Sequence, residues 1–324
     1  MMSIVAHHII CTVISPDHTS AVYNYLDLIL HTAVVIFVLI SGYFGINFKL
    51  GKLLRFEGQV LFYSSIIGCI AFFFIQSIDI KELIHCFMPS SYKLYWFVSA
   101  YLGLYLISPL LNTAFQNMSK RKHLYTIIVL MFCINTINSL PAYEQASNIG
   151  LMITLYALGR YLKSYDVNWL KSNKNCLSVL LGIAFFVLPI VACFCVNIEK
   201  EKIWNVFYNY YGIGCIFISV LIFSIFKNMF FTSKILNRFA ASVFAIYLIH
   251  ENHLISEYVY VTPTLFLNKY LPMSLSLLLV TTTVTMGGLL MDQIRISLFQ
   301  KLNGTFDKMS SSIEVQFTKI ANKI

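Results

Sequence analysis

Residues 7 and 8 are both histidine, inside MMSIVAHHIICTVIS, a run from Met1 to Ser15 without Lys, Arg, Asp or Glu. An ionisable side chain in an apolar membrane segment is costly, so each is a functional candidate. A desolvated imidazole stays neutral near pH 7 and can take a proton from a hydroxyl. On that reading one of the two is a general base. The structural alternative is that one ring hydrogen-bonds to a neighbouring helix while the other reaches toward the interface.

Three further stretches carry chemistry. SVFAIYLIHENHLI holds His250, Glu251 and His253. Glu251 could hold an imidazole in one tautomer, as a triad carboxylate does; the same residues could equally mark the membrane–water boundary. In FVLISGYFGINFKLGKLLR, Gly42 and Gly45 permit close backbone approach. Lys49, Lys52 and Arg55 follow, and Lys52 and Arg55, three apart, can share a helical face. They form either an ordinary basic loop or a mouth for the phosphates of a cytoplasmic ligand. In YWFVSAYLGLYLISPLLN, Tyr95 and Trp96 are expected as interfacial anchors, with Ser99 and Tyr101 lining the interior and Pro109 breaking the helix near its inner end.

The elements that must position these groups are membrane helices. Of the 324 residues 58% are hydrophobic and only 11% charged, with mean hydropathy +0.73. Soluble domains carry about 25% charged residues, so the expected fold is all-α, a polytopic membrane bundle. Ten spans are expected, at about 1–15, 25–47, 58–78, 94–115, 124–141, 148–163, 176–196, 206–226, 236–254 and 272–294. With both termini cytoplasmic, 18 of the 23 Lys and Arg fall on the inner side and five on the outer. Omitting one span would scramble every later loop and destroy that asymmetry. His8 and His250 then lie toward the same, outer side. The net charge of +9 sits in these short loops and reads as topology, not as nucleic-acid binding. The eight cysteines show no CxxC pair and fall mostly in apolar runs, so they read as small core residues. Residues 1–295 form the membrane domain, and 296–324 a basic, amphipathic cytoplasmic tail suited to the inner membrane surface.

The order of these pieces resembles the membrane acyltransferase 3 family: an early His in helix one, ISGYF with a basic loop after helix two, YWFVSAYLGLYLISPLLN, and SVFAIYLIH. The resemblance covers roughly residues 1–295. It implies O-acylation of surface polysaccharides or related glycans at the bacterial cytoplasmic membrane, with acetyl-CoA or another acyl-CoA as donor and no metal. The family's characteristic motif is an Arg, ten residues, then a His. His8 is its best match, and the arginine would fall before Met1. The expectation is that DNA just upstream encodes that arginine in frame.

By this resemblance His8 deprotonates the acceptor hydroxyl or briefly carries the acyl group, and His250 and Glu251 orient or share that proton. Lys52, Arg55 and Arg121 hold the CoA phosphates. A competing reading is a secondary transporter or lipid-linked sugar flippase using intramembrane His as a proton relay. The matched, Gly/Pro-broken halves common in transporters are not seen in the sequence. Helix-borne HxxxH spacing is also absent.

Overall fold

The computed structural model describes residues 1–14, 21–75, 78–92, 94–138, 144–166, 212–229 and 232–321. Among them every regular element is helical. Helices satisfy their own backbone N–H and C=O groups, which lipid cannot do. In chain order they are α1 (Met2–Ile9), α2 (Ala21–Phe44), α3 (Leu50–Ile70), α4 (Ile80–Cys86), α5 (Trp96–Gln116), α6 (Lys120–Asn138), α7 (Glu144–Ser164), α8 (Ile213–Lys227), α9 (Lys234–His250), α10 (Thr262–Leu267) and α11 (Met273–Ala321). π-helical turns extend α1 (Ile10–Ile14) and α3 (Ala71–Ile75) and precede α10 (Glu257–Val261).

Three segments are long and apolar enough to cross a membrane: Leu50–Ile75, Trp96–Gln116 and Met273–Gln300. Met2–Ile14, Ile29–Phe44 and Gly214–Lys227 are shorter apolar helices. Phe44, Phe74, Leu110 and Phe132 are each at least 74% exposed, as side chains facing lipid would be. Each expected span with described residues carries a helix, although among the described residues three helices are long and apolar enough to cross a membrane and the short α4 and α10 fall in no expected span; the span at 176–196 lies outside the described residues. So do the start of the span at 206–226, the end of that at 124–141, and Cys176, Cys193 and Cys195. The expected tail from 296 continues α11 without a break at 295. Cys133 is exposed rather than in a core, because it sits on the outward face of α6; Cys86 and Cys215 are buried.

The chain divides into two compact bodies. The first comprises Ala6–Ile46 and Ala100–Thr232. Here α2 packs on α7 and α8, and α6 on α7. Two glycines permit the α2–α7 crossing. A Cβ on Gly42 would lie 2.9 Å from the Tyr156 Cα, and one on Gly159 would lie 2.7 Å from the Tyr43 nitrogen. Gly45 follows α2 at φ +79°, a left-handed backbone that glycine adopts without strain. A closed ring of bonds secures the same end: the Ile46 N–H donates to Tyr156 Oη (3.0 Å), that hydroxyl donates to Asn112 Oδ1 (2.5 Å), and Asn112 Nδ2 donates to the Ile46 carbonyl (2.9 Å). Lys163 and Lys227 lie over the Tyr43 ring, 5.0 and 5.2 Å from its centroid. Lys163 and Lys227, both of which the ten-span reading assigns to the inner side, thus gather at one end of this body.

Pro109 does not break α5, which runs on to Gln116. The proline cannot donate to the Tyr105 carbonyl one turn back. The Ser108 hydroxyl donates to that carbonyl instead, at 2.7 Å.

The second body comprises Met1–Val5, Asn47–Ser99 and Ser233–Ile324. In it α3 packs on α4, α9 and α11, and α9 packs on α11. Tyr95 is not an interfacial anchor. It is 1% exposed, because its hydroxyl finds partners inside: it donates to the Leu248 carbonyl (2.9 Å) and accepts from Asn252 Nδ2 (2.8 Å).

Gly159→Val should therefore destabilise the protein by about 1–3 kcal/mol or more, the usual cost of overpacking. Gly287→Ala, inside α11 where an added Cβ meets nothing within 4 Å, should leave stability unchanged or raise it by up to about 1 kcal/mol. Thermal unfolding of the two detergent-solubilised variants measures both, and an unaffected Gly159→Val would refute the crossing.

Candidate functional site

In the first body α1 and α2 bring four titratable or nucleophilic side chains together. Asp27, 2% exposed, sits one turn before His31 on α2. Its Oδ1 accepts from His7 Nδ1 at 2.5 Å, and its Oδ2 lies 3.3 Å from His31 Nδ1. Cys11, one turn after His7, donates to Asp27 Oδ1 at 3.4 Å and has its sulfur 3.5 Å from His7 Nδ1. The His7 and His31 rings meet edge-on, centroids 4.0 Å apart. An ionised carboxylate can only accept, so His7 carries its proton on Nδ1 and its basic nitrogen is Nε2.

His8, the expected base, is the less buried ring of the pair. Its centroid lies 5.1 Å from that of His7, edge to face. His7 is committed to a neighbouring helix, and His8 is the ring set beside it. The sequence reading missed Asp27 and His31. Both were visible as ionisable groups in the apolar run YLDLILHTAVV.

In the second body His250 ends α9, wholly buried, with Glu251 directly after it. His250 Nδ1 lies 2.6 Å from the Ile246 carbonyl. A carbonyl accepts, so the proton sits on Nδ1 and Nε2 is the basic nitrogen. The tautomer of His250 is thus set by the backbone. Next to this segment is a cavity of about 180 Å³ lined by Glu82, His85, Cys86, Tyr92, Leu94, His253 and Leu254. His85 stacks on Tyr92 with centroids 3.8 Å apart. Burial pushes the Cys86 thiol up, so that side chain enters the cavity neutral.

The other end of this body is basic. Arg55, on α3, and Arg295, on α11, line a cleft of about 350 Å³ with Phe56, Gln59, Ile296, Phe299 and Gln300. Arg295 donates to both oxygens of Asp292, at 2.5 and 3.1 Å, and lies over the Phe299 ring. Tyr63 donates to Asp292 as well, at 2.8 Å. Asp292 is fully buried, and its charge is matched by that bidentate guanidinium. Lys52 is exposed on α3, and Arg121 is exposed at the start of α6, in the first body.

The acyltransferase domain characteristic of the acyltransferase 3 family matches residues 1–290. No curated protein and no solved structure matches the chain significantly.

Replacing Tyr95 by Phe leaves the buried Asn252 amide and the Leu248 carbonyl each short of a partner. That change should cost about 1–3 kcal/mol, read from denaturation of the purified variant, whereas an interfacial anchor would lose little.

Proposed function

This chain belongs to the acyltransferase 3 family and is a membrane acyltransferase; from that premise we propose that it transfers acetyl from acetyl-CoA to a sugar hydroxyl of a bacterial envelope polysaccharide or lipid-linked glycan. The observation that carries the reading is the imidazole cluster of α1. His7 is pinned by the buried Asp27, so the helix that bears His8 has a fixed rotation. A base held in place by packing loses little to reorganisation when the proton moves.

His8 takes the proton from the acceptor hydroxyl. The oxygen attacks the thioester carbonyl, and the tetrahedral intermediate collapses to release the CoA thiolate, which the proton then neutralises. His250 and Glu251 orient or share that proton. Arg55, with Lys52 and Arg121, holds the CoA phosphates by charge-assisted hydrogen bonds. The cleft of Arg55 and Arg295 supports this role, because its apolar wall of Phe56 and Phe299 can receive the adenine. The cavity beside His253 supports an acceptor sugar, since a stacked His–Tyr pair and a carboxylate are groups that bind hydroxyl-rich rings.

Transfer of labelled acetyl from acetyl-CoA to envelope glycan tests the reading. His8→Ala should lower the rate by about 10²–10⁴-fold, the usual contribution of a general base. Arg55→Ala should raise KM for acetyl-CoA more than it lowers kcat. Unchanged transfer by His8→Ala would remove the base assignment, and the absence of label from every glycan fraction of the wild type would remove the activity.

A further inference from the structure

The imidazole cluster has a property that proton abstraction does not use. His7 and Cys11 are four apart on one helix, and Asp27 comes from the helix that faces it. One nitrogen, one sulfur and one oxygen converge, all within 4.8 Å of one another. Cys11 Sγ is 3.5 Å from His7 Nδ1 and 3.4 Å from Asp27 Oδ1. Ligand atoms on a tetrahedral zinc stand about 3.3–3.6 Å apart, as its ~2.0–2.3 Å bonds require. Two of the three edges already have that length. The third, His7 Nδ1 to Asp27 Oδ1, is a 2.5 Å hydrogen bond and need open by only about 1 Å.

Charge points the same way. Two of the ligands, the Cys11 thiolate and the Asp27 carboxylate, carry one negative charge each when metal-bound, and the imidazole is neutral. A divalent ion makes the set neutral overall, which is what an apolar surround requires. The mixture of imidazole, thiolate and a single carboxylate suits zinc rather than magnesium or calcium, which take oxygen ligands. His31 Nδ1 lies against the second oxygen of Asp27, the place of an outer group that orients a ligating carboxylate.

We propose that His7, Cys11 and Asp27 bind one zinc ion per chain, with His31 positioning Asp27 and the fourth coordination position open to water. Binding releases the Cys11 thiol proton, and the His7 proton moves from Nδ1 to Nε2 so that Nδ1 can ligate. The ion ties α1 to α2. The site shares His7 and Asp27 with the acetyl-transfer reading, but its test reads metal binding and not transfer.

The test uses the full chain in detergent, stripped with a chelator and titrated with Co²⁺, then with Zn²⁺. Thiolate-bound cobalt gives a near-ultraviolet charge-transfer band that saturates at one equivalent and is displaced by zinc. Cys11→Ser should abolish that band. His31→Ala should keep it while weakening metal affinity about 10–100-fold, the effect of losing an outer-shell partner. X-ray absorption on the unmutated zinc-loaded chain, which does not depend on any variant folding, should show one sulfur and otherwise nitrogen or oxygen ligands. No bound metal at one equivalent, only nitrogen and oxygen neighbours, or a cobalt band that persists in Cys11→Ser would each overturn the site.

Discussion

A polar group inside an apolar bundle has only the protein to bond to, and this constraint shapes each part of the structure that does more than fill space. Lipid offers neither donor nor acceptor, so an unmet carbonyl or carboxylate costs several kcal/mol. The chain meets the demand locally wherever it can. Ser108 supplies the donor that Pro109 lacks, one residue away and on the same turn. Tyr63 and Arg295 close around Asp292. Tyr156 and Asn112 exchange bonds with Ile46 where α2 ends. In each case a functional-looking residue first serves as a partner for another polar group.

What could be read from the sequence follows from this. The longer helices were legible because hydropathy is a one-dimensional property, whereas the short α4 and α10 fall outside the expected runs. The grouping of Lys163 and Lys227 around Tyr43 was legible too, since loop charge had assigned both to one side. Pro109 misled because a proline announces a lost bond, while its compensation by the preceding serine is a matter of side-chain geometry. Tyr95 misled for the opposite reason. An aromatic beside Trp96 fits an interface, and only the fold brings Leu248 and Asn252 from far along the chain to its hydroxyl.

The candidate site was half legible. His8, His250, Glu251 and Arg55 stand out by residue type. Arg295 is not singled out by the sequence, and neither are Asp27 and His31, although the rule that singles out an intramembrane histidine applies equally to a carboxylate. Their relation to His7 required the pairing of α1 with α2, a contact between helices that spacing alone does not specify. Cys11 was read as a small core residue, and by itself it looks like one. Its character comes from a neighbour sixteen positions away.

The two buried carboxylates show why similar burial has different consequences. Asp292 carries its countercharge permanently, because a guanidinium stays protonated at any physiological pH and bonds both oxygens at once. Among the described residues, the ionic partners of Asp27 are two imidazoles. An imidazole can donate a hydrogen bond while neutral, but it offers a full positive charge only when protonated. Asp292 is therefore a closed structural pair within α11, and the hydrogen bond that it accepts from Tyr63 ties that helix to α3. Asp27 is held by bonds without a permanent countercharge, and a carboxylate in that condition favours any cation able to reach it, whether a proton or a metal ion. That difference separates a site that only holds the fold from one that can take part in chemistry.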